Sequence, residues 1–450
     1  PKEGFSPGEL FFRPGACRQS AAKPVKLAFI SCILILMATL SARAADDSVA
    51  KLAEDARCAR GLDWIAKNSA WVTEQQIRLS EIPAPEFGEA ERARALAAIF
   101  EAAGLKVRTD ETGNVIGESL GSQPGVILFV AHLDTVFPAG TDVTVKRDGN
   151  HLIGPGISDN AAGLAALASL ARALSESRVK TKKTIALAGD VGEEGEGNLR
   201  GIRALVDGYG SRLANVIAVD GPSIDYITTQ GIASRRFEVT ITGPGGHSWS
   251  DFGEPNPITA MARGIVKFSA IRIPANPRSS FNFGVIEGGT SVNSIPARAS
   301  VKVDLRSEDE SELARLEKAL RDAMMAGVNE ELRSSRSPDA GDDYTQLNQF
   351  HMQMEFLPIG SRPAGKLPND SPLLATIRSV DSYLGNRARL ERSSTDANIP
   401  LSLGIPAVAV GGGGRGGGSH TLEEWYDPAA RDQGLKRLYL VALALAGLDR

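Results

Sequence analysis

Cysteine is nearly absent from this chain: three residues in 450, Cys17, Cys32 and Cys58. An exported protein stapled by disulfides carries an even, spaced set, so a disulfide framework is excluded and the fold must rest on its core, with metal as a further source of stability. Positive charge is not in excess either. The formal charge is −4, and no basic run or aromatic-basic interleaving occurs, which argues against a nucleic-acid surface. Long hydrophobic runs are lacking too. The one clear run, Leu27 to Leu40, has 14 residues and falls short of the roughly 20 needed to span a bilayer. Histidine is scarce, at five residues, which makes the position of each one informative.

The apolar run has the layout of a targeting segment. Lys23 and Lys26 precede it and Ala42-Arg43-Ala44 follows, the pattern of a signal peptide cut before Ala45. Cys32 is not placed like a lipid-attachment cysteine. Residues 1 to 23, opening on Pro1, read as an upstream extension of the reading frame. Removing residues 1–44 takes away six basic and two acidic residues and leaves a charge of −8, with Cys58 alone. The expectation is export to the periplasm or medium, with no membrane attachment after cleavage.

At 450 residues, with 42% hydrophobic and 23% charged residues, the chain is long enough for two or more globular units. Residues 69 to 103 read as helical, broken at Ile82-Pro83-Ala84-Pro85, with the second helix over 89–103. Short apolar strands follow at 107–109, 126–130, 184–189 and 216–219, separated by an Ala/Leu-rich helix over 161–174. Strands alternating with helices imply a parallel α/β sheet. The grammar then changes. Residues 235–242, 280–286, 299–305 and 352–356 read as strands, and 257–268 and 308–325 as helices. This β-α-β-β-α-β order is ferredoxin-like, with 333–349 as an exposed loop. From about Ser371 the first grammar returns: a helix over 371–384, a strand over 406–410, a glycine-rich loop over 411–418 and a final helix over 428–448. The expected division is 1–44 as extension and signal, 45–231 and 363–450 as two parts of an α/β unit, and 232–362 as an inserted domain.

Acids and histidines gather at one edge of the expected sheet. His132 and Asp134, Glu193-Glu194, and Asp220 each follow a strand, and His420 follows the last one across the glycine loop. The carboxyl edge of an open parallel sheet is where sites form. His132 and Asp134 are two apart on a strand and share a face, the arrangement in which a carboxylate holds one ring nitrogen while the other meets a metal. Imidazoles and carboxylates without thiolate suit catalytic zinc. Each residue also has a plainer reading. Asp159 fits the N-cap of the helix starting at Ala161, Glu193-Glu194 a solvated turn, Asp220-Gly221 a turn pair, and His420 a helix cap or surface residue.

Taken together, the motifs Ala131-His-Leu-Asp134, Gly156-Ile-Ser-Asp159, Gly192-Glu-Glu-Gly195, Asp220-Gly221, Gly243-Pro-Gly-Gly-His-Ser248, Gly288-Gly-Thr-Ser-Val-Asn-Ser-Ile-Pro296, Asp304-Leu-Arg306 and Ser419-His420 resemble a known family. It is that of the co-catalytic zinc exopeptidases and deacylases, which includes peptidase T, glutamate carboxypeptidase, aminoacylase and succinyl-diaminopimelate desuccinylase. The resemblance spans nearly all of the chain after residue 44. It implies two Zn2+ ions, replaceable by cobalt or manganese: one on His132 and Asp220, the other on Glu194 and His420, with Asp159 bridging. It makes Asp134 the residue that orients His132, and Glu193 the general base that takes a proton from the attacking water. It further implies a homodimer through the inserted domain, with His247 donating to the oxyanion from across the dimer, and substrate contacts by Asn293 and Arg306. Many relatives carry a charged residue after the bridging aspartate, where this chain has Asn160. His151 and His351 match no motif and read as surface residues. Residues 411–418 lack the Gly-Lys-Ser/Thr ending of a phosphate loop and read as a close-approach substrate loop.

The expected activity is therefore hydrolysis of short peptides, in a style closer to peptidase T than to desuccinylases. Removal of the acyl group from an N-acyl amino acid at the same site is the alternative. A binding protein on a retired hydrolase scaffold would have lost the base or a ligand, whereas Glu193 and all five ligand candidates are present.

Overall fold

The structure is a computed structural model and describes residues 48–335 and 352–449. The expected signal segment, His351 and most of the expected 333–349 loop lie outside the described residues. Among those residues, no helix is long and apolar enough to cross a membrane.

Two hydrophobic cores organise the chain. The first surrounds a nine-stranded sheet whose middle strands, in spatial order Thr184–Asp190, Val126–His132, Leu213–Val219 and Ala407–Val410, are parallel. All seven residues of Val126–His132 are buried, as expected of a strand covered on both faces. The sheet is mostly parallel, as expected, with antiparallel strands at its margins. Lys106–Thr109 and Val115–Ser119 form a hairpin and join antiparallel, because a tight turn at Thr112-Gly113 returns the chain directly. The helix Ala161–Ser177, rich in alanine and leucine, is buried along most of its length. The helices Ala56–Lys67 and Ser69–Ser80 pack over it.

The second core lies under a four-stranded antiparallel sheet in the spatial order Ser279–Gly288, Arg298–Ser307, Ala233–Thr242, Gln353–Arg362. Helices Pro257–Ser269 and Glu310–Ser334 cover it. Numbered along the chain, the strands lie in the order second, third, first, fourth, which is the ferredoxin-like arrangement. The class is thus α/β with a mainly parallel sheet and a separate antiparallel unit.

Three expectations about extent need correction. The helix expected over 308–325 runs from Glu310 to Ser334, with Asp309 capping it through the Glu312 N–H at 2.9 Å. Its apolar stripe continues through Val328, past Gly327, a residue that reads as a helix breaker. Gly327 is instead a crossing point: a Cβ there would lie 2.6 Å from the Gly264 nitrogen on the facing helix. The strand expected to end at Phe356 reaches Arg362, with consequences for the site. The glycine loop contains the strand Arg415–Gly417, which joins Trp425–Asp427, His151–Ile153 and Lys146–Asp148 in a small sheet.

This crossing predicts opposite outcomes for two helical glycines. Gly208→Ala, in open space on Arg200–Tyr209, raises unfolding stability by about 0.5–1 kcal/mol through helix propensity. Gly327→Ala lowers it by about 1–3 kcal/mol despite the same propensity gain, because the helices must separate. Urea unfolding of the two variants beside the parent checks both.

Candidate active site

His132 closes the central strand and is buried. Its Nδ1 lies 3.0 Å from the main-chain carbonyl of Asp134, which can only accept, so Nδ1 carries the proton. That leaves Nε2 facing Asp159 Oδ1 at 3.1 Å and Asp220 Oδ1 at 4.0 Å. Asp134 thus holds the ring of His132, through its main-chain carbonyl more closely than through its carboxylate. Its carboxylate stands 3.7 Å from the ring, and it accepts instead the N–H groups of Glu193 at 3.0 Å and Glu194 at 2.8 Å. The carbonyl of the same residue is the nearer partner for the ring. The carboxylate is left to tie this strand's end to the neighbouring Thr184–Asp190 strand, from which the two glutamates continue.

Asp159 is not the cap of the following helix. Asn160 takes that work: its Oδ1 accepts from Gly163 N and Gly221 N, both at 3.1 Å, and its Nδ2 donates to Val219 O at 2.9 Å. The departure from the family pattern at position 160 thus joins the Asp159 loop to the strand end that carries Asp220. Asp159 itself is free to meet His132 Nε2 and, at 3.4 Å, His420 Nε2. His420 adopts a left-handed backbone (φ 68°), uncommon outside glycine, and its Nε2 also lies 3.0 Å from Glu194 Oε1.

Three overlapping groups of possible donors result, each with its atoms within 4.8 Å of one another: His132, Asp159 and Asp220; Asp159, Glu194 and His420; and His132, Glu193 and Glu194. The first two share Asp159 and match the expected ligand sets. Nitrogen and carboxylate donors at this spacing, without thiolate, fit a pair of divalent cations.

The electrostatics match that use. Burial works against a proton on His132, but the hydrogen bond and charge of Asp159 outweigh it and hold the imidazole well above its ordinary pKa. Hydrogen bonds to Asp159 and Glu194 lift His420 to about 10. Burial, with Asp159 beside it, pushes Asp220 up to about 7. Burial also raises Glu193 well above the usual carboxylate range, with Arg362 opposing the rise and the Glu194 charge adding to it.

Arg362 was not visible as a site residue in the sequence. It ends the last strand of the inserted domain, is buried, and donates from Nη1 to Glu193 Oε1 at 2.8 Å and from Nη2 to the Glu193 carbonyl. A sequence of Gly-Ser-Arg-Pro after a partly exposed strand carries no periodic signal for such a contact.

The remaining candidates lie apart from this cluster. His247 and Asn293 are brought together on a ribbon in which Gly246–His247 pairs with Ser294–Ile295. The Asn293 carbonyl accepts from Ser248 N at 3.0 Å. His247 is exposed, and its Nδ1 accepts the Trp249 N–H at 3.1 Å, which makes Nε2 the protonated nitrogen. Arg306 shares a sheet row with Ser234 and Arg362, and its Nε donates to Asp304 at 2.6 Å. His151 is exposed and packs against Trp425, their ring centroids 5.1 Å apart. The glycine loop packs closely against its neighbours: a Cβ at Gly411 would overlap the Pro222 carbonyl and one at Gly416 the Ser158 hydroxyl.

The sequence profile of Peptidase family M20/M25/M40 matches residues 128–444. The uncharacterized protein YqjE of Bacillus subtilis is 25% identical over 374 residues, 76% of this chain and 91% of that protein. Among solved structures, aminopeptidase PepT from Bacillus cereus superposes with a TM-score of 0.64 at 21% identity, covering 84% of this chain and 99% of its own. An amidase of the hydantoinase/carbamoylase family from Burkholderia vietnamiensis does so with a TM-score of 0.64 at 18% identity, covering 84% and 97%.

Asp159 and Glu194 favour a proton on His132 and His420 in the metal-free protein, so cation binding must displace protons, and affinity falls as pH falls. Zinc titration by calorimetry at pH 7, in two buffers of different ionisation enthalpy, is expected to show net proton release on binding. Apparent affinity is expected to weaken by about tenfold or more per unit from pH 8 to pH 6.

Proposed function

The chain belongs to peptidase family M20/M25/M40, and from that premise we propose an exported exopeptidase that hydrolyses short peptides with two Zn2+ ions and Glu193 as general base. Members of this family are metal-dependent hydrolases, and this chain is one. The observation that carries the finer reading is Asp159, common to both ligand sets, with the buried Glu193 beside them. Bound there, a pair of divalent cations would lower the pKa of the attacking water and polarise the scissile carbonyl.

The chain's own residues supply the rest. Glu193 takes the proton from the water and passes it to the leaving nitrogen, and its raised pKa brings it toward the pH at which such transfer is efficient. Arg362 fixes its carboxylate, and Asp134 fixes the main chain beneath it. With Nε2 protonated, His247 of the partner subunit is suited to donate to the developing oxyanion. The edge strand Ser279–Gly288, with Val285 and Ile286 exposed, supports pairing of two copies through the inserted domain. Asn293 beside His247 is the further substrate contact, and Arg306, a guanidinium that can bind a carboxylate bidentately, is the candidate partner for a substrate carboxylate.

N-acyl-amino-acid amidohydrolysis is the second reading. Its support is the likeness to the Burkholderia vietnamiensis amidase, equal in TM-score to that of aminopeptidase PepT.

The zinc-loaded protein is offered free tripeptides, amino-blocked tripeptides and N-acetyl amino acids side by side. Free tripeptides are expected to be cut, and turnover of acyl amino acids alone would replace the first reading with the second. Glu193→Ala is expected to lower kcat by about 10²- to 10⁴-fold; near-parental turnover would remove Glu193 from its role. Sizing in solution is expected to give a dimer, and full activity in a strict monomer would show that His247 does not act in trans.

A further inference from the structure

Three N–H groups of the loop ending in Asp159 converge on one side chain. Gly156 N donates to Glu424 Oε2 at 3.1 Å, and Ser158 N and Asp159 N both donate to Oε1 at 2.7 Å. Glu424 is fully buried, and its two carboxyl oxygens accept from all three of these backbone donors. The tie is reinforced by Gly154 N, which donates to the main-chain carbonyl of Glu424 at 2.9 Å. On the loop's other side, Gln76 Nε2 donates to Ile157 O at 2.7 Å and Ser80 Oγ to Pro155 O at 3.2 Å. Those contacts fix carbonyls, whereas Glu424 grips the N–H of Asp159 itself.

Glu424 also stands four residues after His420. Two tight turns join them, with Thr421 N donating to Gly418 O at 3.0 Å and Glu424 N to Thr421 O at 3.3 Å. One loop therefore brings the His420 ring to 3.4 Å from the Asp159 carboxylate and also holds the Asp159 main chain. In the sequence, Glu423-Glu424 looks like a pair of solvated acids, and nothing in its spacing points to the loop 265 residues away.

We propose that Glu424 is a positioning residue for the bridging carboxylate. It locks the Asp159 loop to the His420 loop, so that Asp159 is presented to both ligand sets at once. The proposal rests on the two-cation reading of the site. In Glu424→Gln, one acceptor oxygen becomes an NH2 that must face a main-chain donor. Glu424→Asp keeps the carboxyl group but draws it back by one methylene from all three donors.

Metal-stripped parent, E424Q and E424D proteins are titrated with Zn2+ and with Co2+ against a competing chelator. Thermal unfolding of each metal-free protein and the visible spectrum of each cobalt-loaded one are recorded alongside. The parent is expected to take two cations, and E424Q to bind them about 10- to 100-fold more weakly, the range for groups that support metal ligands from behind. Its cobalt spectrum is expected to differ, with E424D between the two. A merely structural role would lower the unfolding temperature of metal-free E424Q while affinity and spectrum stayed at parental values, and that result overturns the proposal. Should E424Q not fold, E424D carries the same comparison. A parent that binds no divalent cation would instead overturn the two-cation reading, leaving the two failures distinct.

Discussion

Negative charge concentrated in a buried place is the constraint that the rest of this structure answers. Asp134, Asp159, Glu193, Glu194 and Asp220 converge on His132 and His420 at one sheet edge, and most of these groups have little access to water. Unpaired carboxylates in such a site cost several kcal/mol each. The chain meets this with donors of three kinds. The imidazoles take protons from the shared field, main-chain N–H groups are aimed at Asp134, and Arg362 comes in from the inserted domain. A fourth cation, Arg92, lies fully buried beneath, donating to the Leu133 and Ile82 carbonyls at 2.7 and 2.6 Å. Burial lowers its pKa to about 10, with Asp134 opposing the fall, and it stays charged. Divalent cations would complete the neutralisation.

The base stands where the two cores meet. The Glu193-Glu194 turn is gripped from the inserted sheet by Arg362, by Arg236 at the Gly195 carbonyl and by Lys302 at Glu196. These cations lie along the sheet face opposite the helices, while Val301, Val303 and Leu305 pack inward. The alternation that builds the second core thus supplies, on its other face, the positive charge that the catalytic turn requires. A change in the seating of the inserted sheet would be felt first at Glu193.

The residues whose chemistry is announced by their position were legible in the sequence. His132, Glu194 and Asp220 follow buried strands, and a polar residue at the end of an apolar run stands out. Asp159 and His420 were legible through motif and order, with plainer readings that only the geometry dismisses: Asn160 caps the helix, and the His420 ring turns to Glu194. What supports those ligands was not legible. Arg362 and Glu424 act across 169 and 265 residues of chain, at distances where no periodic pattern constrains them. Asp134 was seen, but not that its carbonyl would be the nearer partner of the ring while its carboxylate accepts from the Glu193 and Glu194 N–H groups. The helix over Glu310–Ser334 was cut short because Gly327 reads as a stop, and glycine at a helix crossing carries the same letter as glycine at a turn.

The glycine loop brings these points to one argument. Eight residues with seven glycines suggest flexibility, yet every one of the residues 411–414 and 416 lies against other chain atoms so closely that a Cβ would collide or press on them. Gly413 lies against Gly434 of the last helix, and Gly416 against Ser158, next to the bridging ligand. Side chains there would push the His420 loop away from the Asp159 loop. A cation pair tolerates little error in donor position, and a shared carboxylate passes any error to both ions. Contact between backbones, with the Glu424 carboxyl group as a further tie, leaves fewer rotatable bonds between the two ligand loops than any pairing of long side chains would. The loss of side chains in residues 411–418 is therefore a gain in rigidity at the ligand that both ion positions depend on.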